Sequence, residues 1–273
     1  MQNGIHFIAG LPRSGSTLLA ALLRQNPRFS AGMTSPVGSL FNAMLAATSQ
    51  RNEAAVFLDD TQRERLLRAC FEAYYADIHP TQLVFDTNRM WTTKLTALSK
   101  LFPSALTICC VRNPAWVVDS IESLVRRNAF ELSGIFNFEP GGTVYSRADG
   151  LSKPDGMVGF AWNALREAVY GPQANRLLLV RYERLTANPL GTLAAIYHAI
   201  GEPLFAHDPE HIEPAYDMIE FDTRLGTPGL HHVRSAVRAE TRPSVLPPDL
   251  FSRYERDAFW EDIAQLPKAV RVI

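Results

Sequence analysis

The chain has too few cysteines for a disulfide framework. There are three, Cys70, Cys109 and Cys110, an odd number with two adjacent. That pattern points to a reducing, cytoplasmic setting rather than a stapled secreted fold. An excess of one charge is missing too. The 27 basic residues face 28 acidic ones, for a net charge of −1. No broad field is available to hold nucleic acid or a membrane surface, so any anion site must be built locally. No apolar run is long enough to span a bilayer. The opening IHFIAGL is too short for a secretory core and has no basic segment before it, so no signal peptide is expected. Internal repeats and low-complexity segments are absent. What is present is 273 residues, 47% of them hydrophobic, ample for a sizeable core.

Apolar strand-like runs alternate with helix-like stretches. HFIAG (6–10), LVFD (83–86), ALTICCV (105–111) and RLLLVRY (176–182) read as buried strands. Helices are expected over 16–26 (stopped by Pro27), 37–50, 61–78, 92–102, from Pro114 onward, 157–172, 189–200 and in DLFSRYERDAFWEDIAQL at the C-terminus. This order predicts an α/β fold of the P-loop type, three layers with a central, mostly parallel sheet flanked by helices, as one domain over 1–273. Two irregular segments, 128–156 and 221–248, are expected to be active-site loops. The adjacent Cys109 and Cys110 read as small buried strand residues. The many apolar helix positions in 37–80 leave a homodimer open.

Ligands in such sheets bind at the carboxyl ends of strands. Three segments fall there: 10–17, 112–120 and 181–185. GLPRSGST (10–17) has the spacing of a phosphate-binding loop, with Ser16 where the lysine belongs and a cation earlier, at Arg13. Gly10 and Gly15 let backbone N–H groups converge on an anion, and the next helix adds its dipole. Ser14, Ser16 and Thr17 add hydroxyls, and Arg13 a planar fork of donors. Without the lysine, and with Asp86 the sole contender to hold Mg²⁺, a triphosphate suits the loop poorly. A sulfuryl group, carrying less charge and needing no metal, suits it better. In VRNPAWVVDS, Arg112 ends the strongest strand and Ser120 lies eight residues on, a pairing able to grip a second phosphate.

In these two segments together, the sequence resembles the sulfotransferases that use 3′-phosphoadenosine 5′-phosphosulfate (PAPS). It looks most like the bacterial members and, more distantly, the tyrosylprotein sulfotransferases. GLPRSGSTLL matches the family's 5′-phosphosulfate loop, and CCVRNPAWVVDS its 3′-phosphate motif. LFPSALTICCVRNP and VRYERLTANP follow the family pattern. The resemblance implies transfer of a sulfuryl group from PAPS to a hydroxyl or amine, leaving 3′-phosphoadenosine 5′-phosphate (PAP). It implies that Arg13, Ser14, Gly15, Ser16 and Thr17 hold the 5′-phosphosulfate, with Arg13 stabilising charge on the leaving oxygen. Arg112 and Ser120 would take the 3′-phosphate. Tyr182 would lie near the nucleotide. A loop around Val237–Pro247 would cover it, with Arg242 or Arg253 as a late cation.

The chain departs from that pattern at the general base. Where tyrosylprotein sulfotransferases carry a glutamate, AGMTSPVG (31–38) has no carboxylate. The candidate bases are Asp86, at a strand end, and His231 or His232 in LHHV. Arg89 stands near a lysine of the distant relatives and is a candidate partner of Arg13. Thr34, Ser35 and Pro36 are placed beside the acceptor by position, and Arg89 is grouped with them as a substrate residue. Trp91, Phe138 and Tyr145 are candidate aromatic walls. The acceptor is read as a small molecule or a peptide, with no nucleic acid or membrane partner and no metal. Two alternatives stay open, a small-molecule kinase of the P-loop type and a nucleotide-binding module that has lost its chemistry.

Overall fold

The computed structural model describes residues 4–139, 142–213 and 217–273. In chain order the elements are β1 (Ile5–Gly10), α1 (Ser16–Leu23), β2 (Phe29–Ala31), α2 (Val37–Ala47), α3 (Asp60–Tyr74), β3 (Leu83–Thr87), α4 (Leu95–Leu101), β4 (Thr107–Val111), α5 (Pro114–Arg127), α6 (Val144–Ser152), α7 (Met157–Tyr170), β5 (Leu177–Arg181), α8 (Tyr182–Ala187), α9 (Pro189–Ile200), α10 (Asp217–Arg224), α11 (Pro248–Glu255) and β6 (Arg271–Val272).

The strands form one sheet in the order β2-β3-β1-β4-β5-β6, and every adjacent pair is parallel. Side-chain alternation divides the core between its two faces. Phe7, Cys109 and Leu179 point into one apolar cluster with α2, α5 and α7. Ile8, Cys110 and Leu178 point into another with α1 and α9. A sheet covered on both sides needs strands apolar at every position, which is how these sequences read. Cys109 and Cys110 are buried and unpaired, as their strand setting implies. Burial pushes the Cys110 thiol up to about 12 and raises Cys109 as well.

Local signals start the helices. Asp59 caps α3 in a reciprocal box with Gln62. Pro114 opens α5, and the Asn113 side chain accepts from the Ala115 N–H. Pro189 opens α9, and Gly201 closes it at φ 75°.

Four features differ from the sequence expectation. β2 and β6 were not foreseen, being three and two residues long, too short to show a period. α6 lies inside the segment expected to be irregular; its capping box uses Ser146 opposite Thr143 rather than an acid. Pro140 and Gly141 of that segment lie outside the described residues. α10 enters the second expected loop, at 217–224. The C-terminal helix stops at Glu255, and the following turns carry Trp260 into the core.

Candidate functional site

The helices after β1 and β4, which are neighbours in the sheet, pack on opposite faces. Their first turns therefore diverge and leave a crevice at the strand ends, the switch point where open α/β sheets bind ligands. A cavity of about 1110 Å³ occupies it. Seven arginines line this cavity against two glutamates, Glu183 and Glu240, in a chain of almost zero net charge.

The loop after β1 is bound to the end of β4. Leu11 N–H donates to the Cys110 carbonyl at 2.9 Å, and Ser14 Oγ donates to it at 2.8 Å. Gly10 has φ 107°, and a Cβ there would lie 2.1 Å from the Cys110 oxygen, so the close approach of the two strands requires glycine. Gly15 has φ 94° and packs on the Tyr182 ring. α1 begins with no side-chain cap, leaving its first-turn N–H groups to a ligand.

Arg13 itself is left-handed, at φ 58°. Its Nε donates to Ser120 Oγ at 3.1 Å, and its Nη1 to the Leu230 carbonyl. Burial, with Arg112 and Arg127 nearby, lowers Arg13 to about 10. Arg112 lies over the Tyr182 ring, 4.2 Å from its centroid. Burial lowers Arg112 too, and its Nε is buried without a partner. A fully buried Asp119 beside Ser120 anchors the late loop, accepting from Arg242 Nη2, Ser244 Oγ (2.7 Å) and Val245 N–H (2.7 Å). Arg242 stands 5.4 Å from the centroid of Trp116.

At the other end of the crevice Met33, Thr34, Arg89, Ile135, Met157 and Phe221 form the wall. The mix is mostly apolar with one cation, and the Arg89 guanidinium has no hydrogen-bond or ion-pair partner among the described residues. His231 faces the cavity here. Its Nδ1 lies 2.6 Å from Asp222 Oδ1, and its backbone N–H donates to Asp222 Oδ2 at 2.8 Å.

Arg13, Gly15, Ser16, Thr17, Thr34, Arg89, Arg112, Ser120, Tyr182, His231, His232 and Arg242 thus line one cavity. Others do not reach it. The Ser14 hydroxyl is turned inward to brace the loop. Ser35 donates to Asp86 Oδ2 at 2.6 Å instead of facing the acceptor end. Asp86 is fully buried and takes two further donors, Tyr75 OH and Trp91 Nε1 (2.7 Å); burial raises its carboxyl. Arg253 is outside, 2.7 Å from Asp149 on α6. Trp91 is core, Tyr145 donates to Asp249 on the surface, and Phe138 is exposed. The aromatic residues that do line the cavity are Trp116, Tyr182 and Phe221.

Sequence reasoning missed Asp119, Arg127 and Asp222. Arg127 was legible, since it lies seven residues beyond Ser120 on the same helix face. Asp119 and Asp222 act on loops far along the chain or across a turn, where no period reveals them.

Comparison with known proteins agrees with this geometry. A model described as "Sulfotransferase family" matches residues 6–207. Protein-tyrosine sulfotransferase 1 of Danio rerio is 28% identical over 196 residues, 67% of this chain and 49% of that protein. Nodulation protein NoeE of Sinorhizobium fredii is 33% identical over 131 residues, 44% of this chain and 31% of that protein. The chain spans about half the length of the protein-tyrosine sulfotransferases it matches. The structure of sulfotransferase STF9 from Mycobacterium avium superposes with a TM-score of 0.52 at 14% identity, covering 99% of this chain and 79% of that one, a likeness of fold.

Proposed function

The chain belongs to the sulfotransferase family, and from that membership we propose that it transfers a sulfuryl group from PAPS to a hydroxyl or amine of a small-molecule or peptide acceptor. The observation that carries this reading is the divided cation site: Arg13 on the loop after β1, bonded to Ser120 on α5, and Arg112 at the end of the neighbouring β4, whose Nη1 donates to the Arg13 carbonyl at 3.5 Å. A donor with phosphates at both the 5′ and 3′ positions needs two such grips. Arg112 supports the same reading, because its buried Nε has no partner among the described residues. Buried donors left unpaired are costly, about 1–3 kcal/mol each, and an anion there would satisfy this one.

PAPS, when bound, supplies the sulfuryl group and a phosphate leaving group. The N–H groups at the start of α1, with Ser16, Thr17 and Arg13, would hold its 5′ end. Arg112, Ser120 and Arg242 would hold the 3′-phosphate, with Tyr182 beneath Arg112. Charge develops on the phosphate oxygen as its bond to sulfur breaks, and the Arg13 guanidinium is the donor placed to stabilise it. The new S–O bond forms from the acceptor hydroxyl, whose proton must leave.

His231 is the base this arrangement favours. It faces the cavity, and its Nε2 is free of hydrogen-bond partners among the described residues. Asp86 has three donors on its oxygens and no exposure, so in this reading it braces Ser35, Tyr75 and Trp91 rather than meeting the acceptor.

The test is transfer of ³⁵S from labelled PAPS to a panel of phenols, sugars, alcohols and tyrosine peptides, in EDTA. Wild-type protein is expected to label an acceptor without metal, and Arg13→Ala to reduce the rate by about 10²–10³-fold. Full activity in Arg13→Ala would show that the loop is not the transfer site.

A further inference from the structure

We propose that Asp222 is the positioning residue of the base, fixing the His231 imidazole in the one tautomer able to take the acceptor proton. The inference rests on the reading of His231 as the base. Asp222 sits on α10, nearly sealed at 2% exposure. A tight turn returns the chain to it within nine residues. Thr227 N–H donates to the Asp222 carbonyl at 2.9 Å, and Gly226 N–H to the Thr223 carbonyl at 2.9 Å. Gly226 (φ 61°) and Gly229 (φ 83°) take the left-handed conformations this path needs. The turn is pinned from outside as well: Gly134 N–H donates to the Leu225 carbonyl at 2.7 Å, and Asn128 Nδ2 to Pro228 at 3.0 Å.

The two carboxylate oxygens have separate tasks. Oδ2 accepts the His231 backbone N–H, a group that can only donate. Oδ1 faces Nδ1 at 2.6 Å. An ionised carboxylate can only accept, so Nδ1 carries the hydrogen and Nε2 keeps its lone pair toward the cavity. When Nε2 takes the hydroxyl proton, the imidazolium is formed beside an anion already in place. Arg13, bound to the Leu230 carbonyl next door, is in electrostatic range of Asp222, and Arg127 on α5 is in range of Arg13. Both are cations, which oppose a positive imidazole, so Asp222 is the group that offsets them.

This division of tasks makes Asp222→Asn informative. The backbone N–H of His231 must still meet an acceptor, which holds the amide oxygen at the Oδ2 place. The amide NH₂ then faces Nδ1 and donates to it, moving the ring hydrogen to Nε2. The base is lost while the fold and the loop contacts remain.

The measurement is the ¹⁵N spectrum of histidine-labelled protein at neutral pH, with His231 assigned by His231→Gln. Wild type is expected to show the Nδ1–H tautomer, Asp222→Asn the Nε2–H tautomer, and Asp222→Glu a partial return of the first. PAP affinity by calorimetry is expected to stay within about 2-fold in Asp222→Asn, because the nucleotide grip is elsewhere. With an acceptor from the panel, kcat in Asp222→Asn is expected to fall about 10²-fold or more. An Nε2–H tautomer in wild type, or no tautomer change in a folded Asp222→Asn, would overturn the proposal. Failure of wild type to bind PAP would instead remove the proposed function and leave the tautomer result standing.

Discussion

Arg13 on the loop after β1 and Ser120 on α5 are 107 residues apart in sequence and joined by an Nε-to-Oγ hydrogen bond of 3.1 Å. In the proposed reading the bond links the two phosphate grips, because Ser120 would share the second with Arg112, which lies over Tyr182. A nucleotide anchored at one grip thus meets the other already positioned, and less ordering is left for binding to impose.

Removing that link weakens the nucleotide site without touching the cation count. Ser120→Ala leaves Arg13 Nε without its partner and removes a hydroxyl from the 3′-phosphate grip. The expected result is a rise of about 10-fold or more in the Kd for PAP by calorimetry, with a loss of about 1–3 kcal/mol of stability from the donor left unpaired. An unchanged Kd would separate Ser120 from nucleotide binding.

Asp119 holds the late loop by three bonds from a fully buried position. Asp119→Ala strands Arg242 and frees Ser244 and Val245. A loss of about 3 kcal/mol in urea unfolding is expected, together with weaker PAP binding. Stability lost with PAP affinity intact would mean that the loop plays no part in holding the nucleotide.

Gly10→Ala tests the contact between β1 and β4. The new Cβ meets the Cys110 carbonyl, and φ 107° is unfavourable for any residue with a side chain. Destabilisation of about 3 kcal/mol or more is expected in thermal melts, enough to leave little folded protein in a domain of ordinary stability. Near-wild-type melting would place the strands further apart than described.

Stability also carries a pH signature from β1. Burial lowers His6 to about 4 from the ordinary 6.5, and its Nδ1 accepts the Leu106 N–H at 3.0 Å. Between those pH values the unfolded chain binds a proton that the native chain does not, so folding stability falls as pH drops through the window. The full loss is about 3 kcal/mol, and it is absent above about pH 6.5. Replacement by Gln keeps an acceptor and cannot titrate. The stability of wild type relative to His6→Gln should therefore shrink from pH 7 to pH 4, and parallel curves would contradict it.

Much of this was legible in the sequence, for identifiable reasons. Long β-branched and leucine-rich runs marked the four inner strands, because a sheet buried on both faces tolerates few polar residues. Gly10, Gly15 and Arg13 were legible because an anion loop needs specific backbone freedom and a cation at fixed spacing. Short edge strands such as Phe29–Ala31 carried no period. The inward turn of Ser14 and the sealing of Asp86 depend on neighbours distant in sequence, Cys110 for one and Tyr75 and Trp91 for the other. Arg242 and Arg253 read alike as late cations. Asp119 draws the first into the crevice and Asp149 holds the second outside it.

The proposed function requires a nucleotide site with two phosphate grips and no need of metal. The most direct measurement is calorimetric titration of the wild-type protein with PAP and with ATP, each with and without Mg²⁺. Tight binding of PAP that is indifferent to Mg²⁺, and lost in Arg112→Ala, is the predicted result. Binding of ATP alone, and only with Mg²⁺, would contradict it and make the crevice a triphosphate site.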